Sequence, residues 1–178
     1  MAFSTISRDP KANPRSRRAL DQLKALLNVA VVTLDSSITQ TGNTAATETT
    51  LFSYVLPSNE LSNMDSIEFS AAGRFAATAS VDKRIKVKFG STTIYDSGAL
   101  AITTAESWVL RGTVTRTGSA TQKCDVILAT SSTTLAAEGI YATASETLSS
   151  SVTLTVTGYG TNASDVVGER FKVLHQPG

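Results

Sequence analysis

The sequence predicts an all-β protein: an antiparallel β-sandwich or jelly roll of about 8–10 strands, preceded by an extended basic arm and one short amphipathic helix. Three observations carry the prediction. Beyond residue 28 apolar residues recur with a period of two, the spacing that sends alternate side chains to opposite faces of a strand. Ser and Thr supply 48 of the 178 residues and charged residues only 17%, a composition that suits the solvated faces of strands and argues against coiled coils and helical bundles. The apolar runs are separated by Ser, Thr, Gly, Asn and Asp turns with no helical pattern between them, which argues against a parallel sheet built from βα units. At 41% apolar residues the chain can bury a core, so disorder throughout is excluded.

Residues 1–28 differ in character from the rest. The first 24 carry Arg8, Lys11, Arg15, Arg17, Arg18 and Lys24 against Asp9 and Asp21, a net +4; the remaining 154, with ten cations and thirteen carboxylates, sum to −3. Pro10 and Pro14 forbid regular structure up to about residue 13. Asn13 before Pro14 reads as a helix N-cap and first helical position. Ala19, Leu20, Leu23, Leu26 and Leu27 then fall at steps of three and four, an apolar stripe opposite Arg17, Arg18, Asp21 and Lys24. A helix of about three turns is marginal alone in water, so it needs a surface to pack on. The expected division is an attachment or assembly arm with a short helix over 1–28 and a β domain over 29–178.

In the β domain, the run Val29–Leu34 is rich in β-formers, and Thr50–Leu56 ends at Pro57, a strand terminator. Ser66–Ser70 places Ile67 and Phe69 on one face and is expected to stop near Gly73. Arg84–Phe89 is the clearest strand, with Ile85, Val87 and Phe89 alternating against Arg84, Lys86 and Lys88. Thr92–Asp96 follows. Ser107–Thr117 is a longer strand carrying Trp108, Leu110 and Val114, with a bulge expected at Gly112. Lys123–Ala129, Ser151–Thr157 and Asp165–Leu174 complete the series, and Val152, Leu154 and Val156 alternate with threonines. Ser36–Thr50 and Ala129–Ser151, rich in Ser, Thr and Ala, read as connections or exposed edge segments. No 20–50-residue repeat emerges, against a propeller or solenoid.

Chemistry-bearing residues are few. The single cysteine, Cys124, excludes an internal disulfide framework and reads as a core residue, with Asp125 on the opposite face of its strand. His175, the only histidine, sits beside Gln176 and Pro177, a poor scaffold for a catalytic imidazole. None of the fifteen acids lies in a recognised motif, and no metal or cofactor site is expected. Gly158-Tyr-Gly160 reads as a turn, since no third glycine or helix follows to make a phosphate cradle. Asn162-Ala-Ser164 fits a glycosylation acceptor but needs a secretory route, and the first two dozen residues show no apolar signal core. The longest apolar stretch, Leu26–Leu34, is interrupted by Asn28 and Thr33 and falls short of the roughly 20 residues of a membrane helix. A soluble protein made in the cytosol is the expectation. Arg84, Lys86 and Lys88 form a cationic row that either meets an acidic partner or solubilises an exposed or edge strand. Sequence-specific nucleic-acid binding is not expected, because this row has no aromatic beside it and the arm's charge is modest.

The stretches Leu51–Leu61, Ile67–Gly73, Lys83–Gly90, Trp108–Arg111 and Val152–Gly158 together resemble the jelly-roll domains of tailed-bacteriophage virion proteins, among them capsid decoration or cement proteins, head fibres and tail-fibre tips. The resemblance spans about residues 48–174 and rests on the order of strand motifs and glycines. It implies a non-enzymatic structural protein, commonly a homotrimer, that attaches to the particle through an N-terminal arm. Carried onto this sequence, the attaching segment is residues 1–28, with Arg8, Lys11, Arg15, Arg17, Arg18, Leu20, Leu23, Lys24, Leu26 and Leu27 as capsid-binding residues and the major capsid protein as partner. The implied location is the capsid exterior. The alternative implied by the same resemblance is a receptor- or glycan-binding tip of a fibre or tailspike, for which Trp108, alternating with core residues, offers no sugar platform.

Overall fold

A computed structural model describes residues 31–78, 82–131 and 138–178. The arm and helix expected over residues 1–28 lie outside the described residues. Eleven strands are described: β1 (Val32–Ser37), β2 (Thr41–Gly42), β3 (Thr49–Leu56), β4 (Ser66–Phe75), β5 (Arg84–Phe89), β6 (Thr92–Asp96), β7 (Glu106–Gly118), β8 (Thr121–Thr130), β9 (Glu138–Ala144), β10 (Val152–Tyr159) and β11 (Val166–Gln176). No helix occurs among the described residues. All named pairings are antiparallel. The large sheet runs β1-β11-β4-β7-β8-β9, with β2 also on β11, and the small sheet runs β3-β10-β5-β6.

The period-two pattern translates directly into one core between the sheets, the arrangement of a β-sandwich. Ile67, Phe69, Ala71 and Phe75 of β4, Trp108, Leu110 and Val114 of β7, and Cys124, Val126 and Leu128 of β8 meet Ile85, Val87 and Phe89 of β5 and Leu154 and Val156 of β10. Phe52 of β3 stacks on Phe171 of β11 with ring centroids 5.2 Å apart, joining the two sheets. The alternate positions of β8, Lys123, Asp125 and Ile127, are exposed.

Several expectations are corrected. The first described strand is Val32–Ser37, which takes in the end of the apolar run Val29–Leu34 and continues to Ser37, its ladder to β11 made by Val32, Thr33, Asp35, Ser36 and Ser37; residues 29 and 30 lie outside the described residues. An edge strand half open to solvent needs few apolar residues. β4 does not stop near Gly73 but continues to Phe75, and Gly73 pairs with Trp108 and Gly168. Gly112 is not a bulge: it pairs in regular register with Phe69 and Val126, and the shift lies between Arg116 and Gly118 at the β7–β8 turn. Position 112 is a glycine for want of room, since a Cβ there would stand 2.4 Å from Cζ of Phe69. Gly158 is part of β10, paired with Thr49 and Ile85, and the turn begins only at Gly160.

The two Ser/Thr/Ala segments hold more structure than loops. Ala129–Ser151 contains β9, an edge of the large sheet. Ser36–Thr50 contains β2 and the buried Asn43. The Asn43 amide donates to the carbonyls of Thr44, Gly160 and Asn162, and its Oδ1 accepts from Val166 N at 2.8 Å, tying the β2–β3 connection to the β10–β11 turn.

Candidate functional site

The ionisable groups of the sandwich are mostly committed to holding loops and strands in place. Glu48, just before β3, accepts from Lys86 (2.5 Å), Lys88 (2.9 Å) and Thr157 Oγ1 (3.1 Å). Burial raises its pKa, but the two ammonium groups outweigh burial and hold the carboxyl at about 2. Arg84 forms a two-pronged pair with Asp96 of the neighbouring β6. All three cations of the expected cationic row are therefore already paired. Nor is β5 an edge: it lies between β10 and β6. A row of cations on an interior strand can be kept because carboxylates beside it neutralise them.

Three further carboxylates behave alike. Oε1 of Glu146 takes four donors from the β5–β6 turn, the backbone and hydroxyl groups of Ser91 and Thr92, at 2.8–3.2 Å. Asp165 accepts from the Thr78 hydroxyl and from Asn162 N. Asp65 accepts from Ser62 N and Gly178 N and pairs with His175 Nε2 at 3.3 Å. His175 is thus better scaffolded than its place in the sequence implies, in β11 and clasped to the β3–β4 connection. In Glu146, Asp165 and Asp65 burial raises the pKa, and the donors overcome it and lower it. A general acid working near neutrality needs a carboxyl shifted the other way. Burial pushes the Cys124 thiol up to about 11, the opposite of an activated nucleophile.

Lys83, next to β5, is fully buried. Its ammonium donates to the carbonyls of Ala76 (2.6 Å), Thr78 (3.2 Å) and Ile102. Burial lowers its pKa against the opposing influence of Asp165 and Glu106. Three carbonyl acceptors match the three donors of an ammonium, so this group bridges the segments on either side of β5 and β6.

One arrangement is left over, on the outer face of the large sheet. The outward residues of β4 include the small Ser70 and Ala72. Ser70 stands between Arg111 of β7 and Lys172 of β11, and Ala72 between Val109 and Arg170. Short side chains on one strand between long ones on both neighbours leave a furrow along β4. Its depression, about 260 Å³, is lined by Glu68, Ser70, Val109, Arg111, Arg170 and Leu174. With strands roughly 4.8 Å apart, the two walls stand about 10 Å from each other.

Among the described residues Arg111, Arg170 and Lys172 have no hydrogen-bond or ion-pair partner, whereas every other described cation has one. Arg74 pairs with Glu169, Arg116 donates to the carbonyls of Leu61 and Gly118, and Lys123 donates to Thr143 Oγ1 and lies over the Tyr141 ring. Free guanidinium groups facing one depression can hold carboxylate, sulfate or phosphate oxygens by paired, charge-assisted hydrogen bonds. Sequence reasoning missed this site. Its cations lie on strands far apart in the chain, and only the register of β4 with β7 and β11 brings them together. The ten residues expected to bind a capsid, Arg8 to Leu27, lie outside the described residues.

Comparison of the chain with family models, with curated proteins and with solved structures returns no match. Among the described residues the class is that of an all-β protein of antiparallel sheets, with an open cationic furrow on the outer face of the large sheet.

Proposed function

We propose that this chain is a non-enzymatic virion structural protein of a tailed bacteriophage, a capsid cement or decoration protein that binds the assembled shell and stabilises it by bridging major-capsid subunits. The observation that carries the reading is strand order. Set aside β2, which shares β11 with β1, and the β8–β9 hairpin at one edge; eight strands then divide as β1-β11-β4-β7 and β3-β10-β5-β6. That interleaving of two four-stranded antiparallel sheets supports the reading of the sandwich as a jelly roll. It supports the resemblance noted in the sequence, which rests on the order of the same strands.

The mechanism is linkage: a protein that binds only the assembled lattice lowers that state's free energy and raises the barrier to its disruption. The β body supplies contacts of a homotrimer, and residues 1–28 reach to the shell. Particles purified from a lysate should contain this chain at a copy number comparable with that of the major capsid protein. Replacing Arg15, Arg17 and Arg18 by Ala should lower shell occupancy while leaving the thermal midpoint unchanged. A handful of copies per particle, or absence from particles, overturns the reading. A few copies would instead favour a receptor- or glycan-binding tip. Tyr141, 69% exposed on β9, is the observation that favours this second reading, as a stacking surface.

A further inference from the structure

We propose that the furrow along β4 receives an extended acidic segment of a partner protein, its carboxylates seated between Arg111 on one wall and Arg170 and Lys172 on the other. The inference rests on the reading above only in taking the ligand to be protein. The argument begins with charge. The sandwich has matched its other cations internally, yet among the described residues it leaves Arg111 and Arg170 unmatched around one depression, with the unmatched Lys172 beside them at the Ser70 level of β11. Holding three like charges together costs free energy that a polyanionic ligand returns.

Shape is the second strand of the argument. The furrow follows the direction of β4, and its outward positions from Glu68 to Ala72 span about 14 Å, the length of about four extended residues. In an extended peptide alternate side chains share a face, so acidic residues two apart would stand about 7 Å from each other, the spacing of the cations at the Ser70 and Ala72 levels.

Third, the lips are aliphatic. Val109 and Leu174 line the depression and Ile127, exposed, stands opposite Arg111 on the next strand. Aliphatic side chains beside arginines suit the alternate residues of a peptide, whereas a saccharide calls for aromatic platforms, and no aromatic residue lines this depression. Glu68 at one end of the furrow disfavours a carboxylate there and confines the anionic groups to the Ser70 and Ala72 levels.

The test uses the full chain and a fluorescein-labelled decapeptide of alternating Glu and Val, followed by fluorescence anisotropy at low salt. Saturable binding is expected, weakening as salt is raised. Arg111→Glu and Arg170→Glu should each reduce affinity by about tenfold or more. Lys88→Gln, on the other sheet, removes the same sign of charge and should leave affinity unchanged. Thermal midpoints establish that each variant folds. Should a reversal prevent folding, Lys172→Gln, a solvent-exposed neutralisation, is expected to give a smaller loss of the same kind. Absence of binding, or binding that survives the Arg substitutions, overturns the proposal. So does equal or tighter binding of polygalacturonate, which would assign the furrow to acidic saccharides. Because the measurement needs no phage particle, its failure is distinct from failure of the copy-number experiment.

Discussion

The indole of Trp108 lies where a side chain at Gly73 would have to go. A Cβ at position 73 would stand 2.7 Å from Cζ2 of the ring, and 1.9 Å from the carbonyl oxygen of Val167. The large sheet carries its tryptophan over a glycine on the adjacent strand, which is why β4 runs unbroken through Gly73. Gly73→Ala is expected to cost about 2–4 kcal/mol in urea denaturation. Combining it with Trp108→Ala should bring no rescue, because the Val167 carbonyl is backbone and cannot retract. Recovery of stability in the double variant would contradict this account.

Trp108 itself is 1% exposed and packs at 45° against Phe75, ring centroids 6.4 Å apart. Trp108→Ala should cost about 3–5 kcal/mol. Native emission should be blue-shifted and insensitive to iodide. A red-shifted, readily quenched emission would refute the packing described.

Glu48 gives the fold an acid-labile joint. Its carboxyl lies at about 2 in the folded chain against an ordinary 4.5, so its contribution is complete above the higher value and is lost as pH falls towards the lower. Allowing for partial exposure, that contribution is on the order of 1–2 kcal/mol. Glu48→Gln should therefore flatten the fall in thermal midpoint between neutral pH and about pH 2. An unchanged pH profile in the variant would count against the Lys86–Glu48–Lys88 bridge.

Replacing Lys83 by Met keeps the aliphatic stem and removes the ammonium, leaving the carbonyls of Ala76, Thr78 and Ile102 without that donor. Each stranded acceptor costs about 1–3 kcal/mol, and relief from burying a charge returns part of the sum. A net loss of about 2–4 kcal/mol by guanidinium denaturation is expected. A more stable variant would show that desolvation outweighs the three hydrogen bonds.

Cys124 is buried on β8 with its thiol raised to about 11. At pH 8 a disulfide reagent should leave it unmodified in the folded chain and label it stoichiometrically in denaturant. Fast labelling of native protein would place the thiol at the surface.

Much of the fold was legible because strand periodicity is a local signal. Arg84–Phe89 and Thr92–Asp96 lie where alternation places them, and Trp108, Leu110, Cys124 and Val126 face the core as their spacing requires. β9 was not legible: Glu138-Gly-Ile-Tyr-Ala-Thr-Ala has little alternation, and pairing with β8 makes it a strand. The candidate site was illegible for a related reason. Arg84, Lys86 and Lys88 advertise themselves within six residues, yet partners from β6 and the β2–β3 connection neutralise them. Arg111 and Arg170, each unremarkable locally, become a site only through Ser70 and Ala72 between them.

The ladders of this sandwich join distant parts of the chain: Val32 pairs with His175, and Leu56 with Val152. Such long loops must close before their contacts reward them, so the chain should fold slowly, in milliseconds to seconds or longer. The same wiring makes escape slow once closure is complete, because opening β11 means giving up β1, β2 and β4 together. Its persistence under heat or protease would then be governed by a rate of opening as well as by an equilibrium constant.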